Sequence, residues 1–196
     1  MDKSVRNVSE ELHIDQERIN FAFSYAGEKH SKQHRKGTTI PYIVHIYEVY
    51  EYLREERADE ETLIAGVLHD VVEDTGTSID EIKECFGENI ANLVSIESEV
   101  KGLPYLVRKT MHMQKLKQAS DNAKLINCAD KLSNLRTIYL DKLYFKDKFW
   151  SKFNAPKEEI QQYYTMAIDA LSSIKDRDIY KQLCKYYDLT FKSQQF

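Results

Sequence analysis

The sequence predicts a single all-α domain, on three observations. Only three prolines and six glycines punctuate the 196 residues, and they fall between segments of helical periodicity. Apolar residues recur at spacings of three and four along those segments. No alternating run of strand period survives scrutiny, and there is no internal repeat or linker. A chain of this length can bury a sizeable core, and 42% hydrophobic with 31% charged residues is the balance of a soluble globular protein.

The first helix is expected over Asp15 to Ser31, with Ile19, Ala22, Phe23 and Ala26 on one face. Pro41 suits a first helical turn and opens the second helix, which carries Tyr42, Ile46, Val49 and Leu53 inward. The third spans Glu60 to Glu73. There Leu63, Ile64, Val67, Leu68, Val71 and Val72 cover most of the circumference, as on a central helix. Ser78 and Glu81 form a capping-box pair that starts a fourth helix, and Gly87 ends it. A short helix follows over Ile90 to Ser98. After "KGLP" come a basic helix, Tyr105 to Gln118, and another from Asp121 to Leu140. Pro156 opens a long helix with Ile160, Tyr164, Ala167, Ile168 and Leu171, and Ile179 to Tyr187 forms the last.

Composition narrows the setting. The amino-terminal stretch "MDKSVRNVSEELHID" is polar and lacks the apolar region of a secretion signal. No apolar run approaches the ~18 residues of a membrane span, so no membrane association is expected. Cys85, Cys128 and Cys184 each sit in an apolar-periodic segment and read as reduced, buried thiols of a cytoplasmic protein. A net charge of −4 argues mildly against nucleic acid as a partner. The thirteen tyrosines exceed the usual share, but the count names no function.

Four stretches put polar groups on apolar faces. "LHDVVEDT" (68–75) sets His69, Asp70, Glu73 and Asp74 on the central helix as one polar corner, since side chains three and four apart are neighbours. A buried charge is costly unless it is paired or coordinates a metal. His45 lies on the inward face of its helix, three after Tyr42 and four before Val49. Alone it is more often a satisfied core histidine than a ligand. In "NCADKLSNLRT" (127–137), Asn127, Asp130, Asn134 and Thr137 form a polar stripe at helical period beside Leu125, Ala129, Leu132 and Leu135. Alone that stripe reads as a hydrogen-bonded ladder between helices.

Together the three helices offer two histidines and two carboxylates. Such mixed nitrogen and oxygen ligation suits Mn²⁺, Fe²⁺ or Zn²⁺ better than Ca²⁺, and the lack of thiolates counts against structural zinc. The fourth stretch, "KHSKQHRKGTTIPYIVH" (29–45), places Lys29, Lys32, Arg35 and Lys36 before a Gly37 loop leading into the helix of His45. Cations beside a metal suit a polyanionic substrate.

The order His45, His69-Asp70, Asp130 resembles the H…HD…D arrangement of the HD-domain metal phosphohydrolases. More specifically, "RKG…IPYIVH", "AGVLHDVVEDT" and "NCADKLSNLRT" resemble the hydrolase domain of the RelA/SpoT family in its stand-alone form, the small alarmone hydrolases. "FGENIANLV" and "PKEEIQQYYTMAIDAL" extend the likeness over residues 17 to 190 of a single domain, 1 to 196. The resemblance implies an HD-type helical bundle that hydrolyses the 3′-pyrophosphate of (p)ppGpp to GDP or GTP plus pyrophosphate. It further implies Mn²⁺ as the metal and a lowering of alarmone in the stringent response. On that pattern His45, His69, Asp70 and Asp130 hold the metal, while Glu73 and Asp74 orient the attacking water and move protons. Arg35 stacks on the guanine, Lys36 and Lys131 sit near phosphates, and Asn134 and Thr137 line the nucleoside side.

Ile46 follows His45 where many relatives have proline, a change of no ligand. The chain has no room for a synthetase domain, so it is expected to degrade alarmone and not to make it. An adenine alarmone, NADPH or a nucleoside monophosphate stays open as the substrate, as does a silent alarmone-binding module. Oligomeric state is open.

Overall fold

The computed structural model describes residues 14–99 and 102–192. The two ends of the expected domain, 1–13 and 193–196, and Lys101 of "KGLP" lie outside the described residues. Ten α-helices follow in chain order among them: α1 (Gln16–Lys29), α2 (Ile43–Glu55), α3 (Glu60–Leu68), α4 (Val71–Thr75) and α5 (Ile79–Phe86), then α6 (Glu88–Glu97), α7 (Tyr105–Lys117), α8 (Asp121–Phe145), α9 (Lys157–Ala170) and α10 (Asp178–Tyr187). Among the described residues no helix is long and apolar enough to cross a membrane.

The hub is α3. Every residue from Thr62 to Leu68 is buried, as its all-round apolar pattern requires, and it packs against α1, α2, α6 and α8. Gly66 lets α2 come close to α3, because a Cβ there would lie 2.2 Å from Leu53 Cδ1 of α2. The second axis is α8, buried from Ala123 to Ser133 and packed on α2, α3, α6 and α10.

The expected continuous helix from Glu60 to Glu73 is corrected here: it breaks at His69-Asp70, where α3 stops and α4 begins. The physical cause is local. His69 Nδ1 donates to the carbonyl of Gly66 at 2.7 Å, the acceptor that a continuing helix would give to the backbone N–H of Asp70. A fresh turn then starts on Asp70, whose carbonyl accepts from the Asp74 N–H at 2.9 Å. Gly76, in the left-handed region at φ 78°, closes α4.

Smaller departures have similar causes. The Ser78 hydroxyl accepts from the Glu81 N–H at 3.1 Å, but Glu81 does not complete the capping box. Its carboxylate instead accepts from Tyr25 at 2.6 Å and Lys29 at 2.7 Å. α8 runs past the expected end at Leu140 to Phe145, where Leu140, Leu143, Tyr144 and Phe145 are exposed and leave no burial pattern to read. The expectation of three buried thiols holds for Cys128 only. Cys184 is half-buried, and Cys85 is exposed on α5.

Candidate functional site

The site is assembled where α2, the α3–α4 break and α8 meet. His45 projects from α2, His69 and Asp70 from the break, and Asp130 from α8. One ligand atom from each lies within 4.8 Å of every other. His69 Nε2 is 2.9 Å from Asp70 Oδ2 and 3.9 Å from Asp130 Oδ1; His45 Nε2 is 3.6 Å and 3.2 Å from the same two atoms. On an unbroken helix His69 and Asp70 would point about 100° apart. The break lets neighbours in sequence converge.

The hydrogen bonds decide what these atoms present. A carbonyl only accepts, so His69 must carry its proton on Nδ1 toward Gly66. The Ser133 hydroxyl donates to Glu48 Oε2 at 2.6 Å, so it accepts from His45 Nδ1 at 2.8 Å. Both Nε2 atoms are left facing the carboxylates, buried and without a hydrogen-bond partner. Two ring nitrogens thus face two carboxylates in one buried volume, an arrangement stable only with positive charge among them, whether a proton or a metal ion. Burial alone would pull the His69 imidazole down, yet the carboxylates of Asp70 and Asp130 lift it to about 10. Against the same burial, His69 and His45 hold Asp70 well below the ordinary carboxylate range, and Lys131 with His45 does so for Asp130. These donors fit a divalent ion of the Mn²⁺, Fe²⁺ or Zn²⁺ class.

The ligand candidates are themselves held. The Tyr42 hydroxyl donates to Asp70 Oδ2, Lys131 Nζ to Asp130 Oδ2, and Asn134 Nδ2 to Asp130 Oδ1. Burial and the Asp70 carboxylate push the Tyr42 phenol far up, which keeps it a neutral donor. Glu73 and Asp74 flank the cluster on α4, and both are raised, first by burial and then by Glu99 for Glu73 and by Asp70 for Asp74. Gln33 Nε2 donates to Asp74 Oδ2 at 2.7 Å.

Beside the cluster opens a cavity of about 310 Å³. Arg35, Lys36, Lys109, Lys131 and Lys152 line it with Tyr42, Tyr105, Phe153, Tyr163 and Tyr164, and no carboxylate is among the lining residues. The loop after α1 is pinned by Arg35 N–H to Ile40 O at 2.8 Å and Tyr42 N–H to Gln33 O at 2.9 Å, with Gly37 turning at φ 73°. That loop aims Arg35 at α8, where the guanidinium forks onto Asn134 Oδ1 at 3.0 Å and Thr137 Oγ1 at 2.9 Å. The basic run divides here. Arg35 and Lys36 face the cavity, whereas Lys29 pairs with Glu81 and Lys32 is exposed elsewhere.

So the structure brings the four expected ligand residues into one cluster and the five expected substrate-contact residues into one cavity lining; Glu73 and Asp74, on α4 and electrostatically coupled to Asp70, are not among the lining residues. The sequence reading missed Tyr42 as a donor, Ser133, Glu48, Lys109, Lys152 and the tyrosine wall. The basic character of the Tyr105–Lys117 segment was the available sign of Lys109, and the tyrosine excess that of the wall. Ser133 and Glu48 carried no sign, since their meeting is a matter of how α2 packs on α8.

The arrangement, a helical bundle with two histidines and two aspartates converging at its centre, defines a class, and the comparisons name it: residues 22–147 match the HD domain, and the chain belongs to that family. Within it, the chain is 34% identical over 157 residues to a guanosine-3′,5′-bis(diphosphate) 3′-pyrophosphohydrolase of Xenopus tropicalis, covering 79% of this chain and 83% of the relative. It is 39% identical over 127 residues to an enzyme of the same name from Aquifex aeolicus, covering 63% of this chain and 18% of that longer one. A solved structure described as a metazoan ortholog of SpoT that hydrolyses ppGpp superposes with a TM-score of 0.74 at 29% identity, covering 89% of this chain and 96% of that one.

Proposed function

We propose that the protein is a metal-dependent (p)ppGpp 3′-pyrophosphohydrolase, with His45, His69, Asp70 and Asp130 as metal ligands and Mn²⁺ as the ion. The observation that carries this is the junction of the four-residue cluster with a cavity lined by five cations, of which Lys109, Lys131 and Lys152 are held by Glu99, Asp130 and Asp141 from outside the lining. Lys131 belongs to both, bonded to Asp130 and lining the cavity. A bound divalent ion supplies neutralisation of phosphoryl charge and acidifies a water.

The chain's own groups do the rest. Water adds to the phosphorus attached to the ribose 3′ oxygen, the bond between them breaks, and GDP or GTP leaves with pyrophosphate as the other product. Glu73 and Asp74 share the proton work, one relieving the water and the other supplying the 3′ oxygen. Their raised affinity for protons, caused first by burial, is the direction that holding and passing a proton requires. Lys131, Lys109 and Lys36 bind phosphate oxygens. Arg35, held flat by Asn134 and Thr137, offers its guanidinium face to the guanine, and the tyrosines exclude water. The free thiols support a cytoplasmic setting, where the enzyme lowers alarmone in the stringent response.

The test is incubation with ppGpp and Mn²⁺, resolving products by ion exchange, with Asp70→Ala as control. Equal GDP and pyrophosphate, absent in the control, is the expected result. Intact ppGpp alongside turnover of ppApp, NADPH or a nucleoside monophosphate would move the protein to another substrate, and tight ppGpp binding without turnover would make it a binding module.

A further inference from the structure

The two histidines of the cluster are oriented by different means. His69 leans on a backbone carbonyl, Gly66 O. His45, fully buried, leans on a side-chain relay: Nδ1 to Ser133 Oγ at 2.8 Å, and Ser133 Oγ to Glu48 Oε2 at 2.6 Å. Glu48 lies three residues after His45 on α2, so the two share a face, while Ser133 reaches across from α8, three residues after Asp130. The hydroxyl has one proton. Because a carboxylate only accepts, that proton goes to Glu48, and Ser133 Oγ can then only accept from His45.

We infer that Glu48 and Ser133 are positioning residues for His45, a carboxylate–hydroxyl–imidazole relay that fixes the Nδ1–H tautomer and keeps Nε2 bare toward Asp70 and Asp130, and so sets the affinity of the site for a divalent cation. The inference rests on the reading of the four-residue cluster as a metal site. Its physical basis is that a ligating imidazole depends on the hydrogen bond made by its other nitrogen. It also gives a role to a serine otherwise odd in the buried stretch of α8, since Ser133 is 1% exposed and its hydroxyl has no other evident purpose there.

The experiment measures Mn²⁺ affinity of the full chain by competition with a chromophoric chelator, and the ¹⁵N shifts of the His45 ring. Ser133→Ala is expected to weaken Mn²⁺ binding about 10–100-fold and to shift the ring toward the Nε2–H tautomer. Ser133→Thr, which keeps the hydroxyl, is expected to bind within a few-fold of the unaltered protein, with Glu48→Gln in between. Glu51→Gln, on the outer side of α2 where Glu51 pairs with Arg54, should change nothing. Unaltered Mn²⁺ affinity and ring tautomer in Ser133→Ala and Glu48→Gln would overturn the relay. Failure of the unaltered protein to bind Mn²⁺ would instead overturn the metal-site reading, and the ¹⁵N shifts would still decide the tautomer. If Ser133→Ala does not fold, the Glu48→Gln comparison carries the test alone.

Discussion

Asp70 makes more of the cluster's contacts than its length of side chain suggests. Its Oδ2 faces both histidine nitrogens and accepts the hydrogen bond of the Tyr42 hydroxyl. Asp70→Ala is therefore expected to abolish Mn²⁺ binding by calorimetry together with turnover. Glu73→Ala should leave Mn²⁺ bound and lower kcat by roughly 10²–10⁴-fold, the weight of one proton-transfer group. If Glu73→Ala strips the metal instead, ligand and proton carrier have been exchanged. Arg35→Lys cannot bridge Asn134 and Thr137, so KM for ppGpp should rise about tenfold, or roughly 1.4 kcal/mol, with kcat little changed. At this scale the four clustered side chains were legible because a polar group on an apolar helical face breaks the pattern at one position. Tyr42 was read as apolar and inward, which its ring is. That its hydroxyl ends on Asp70 depends on the angle between α2 and the α3–α4 break, and no spacing encodes that.

At the scale of elements, the helices were readable from periodicity and caps, and the break at His69-Asp70 was not. Val71 and Val72 continue the apolar pattern of α3 straight through it, so periodicity sees one rod. What divides it is a single side chain taking a backbone acceptor, an event within one turn. The close approach of α2 and α3 is equally hidden, although it sets how near His45 comes to His69. Gly66→Ala places a methyl against Leu53 Cδ1 in a fully packed layer and is expected to cost about 1–3 kcal/mol in urea unfolding. Leu53→Ala in the same chain should relieve that cost, giving a favourable coupling in the double-mutant cycle. Simple additivity would mean that α2 and α3 have room to part.

Over the whole molecule, the cluster joins three elements that are all part of the hydrophobic core, α2, α3 and α8. An ion held there binds the folded chain and not the unfolded one. At a hundred times its dissociation constant it adds about 2.7 kcal/mol, which for a domain of this size is on the order of 5–10 °C in Tm. Chelator treatment should lower Tm by that amount, and Mn²⁺ should restore it together with activity. A Tm indifferent to chelator would mean that the four side chains are held in place without need of an ion. The all-α class and the single cluster were visible in the composition and in the order of motifs. The cavity was only half visible, because its walls come from α7, α9 and the segment after α8, far apart in sequence.

From Asp130 to Thr137, α8 runs seven residues, about 10 Å along one straight axis, with Lys131 and Asn134 between. If Asp130 marks the reacting phosphorus and Thr137 the base, then α8 is a ruler laid beside the substrate, graduated in helical turns. Inserting one residue between 130 and 137 would rotate the far mark by about 100° while leaving both ends chemically intact. On that assignment, the length of nucleotide accepted follows from the pitch of a helix.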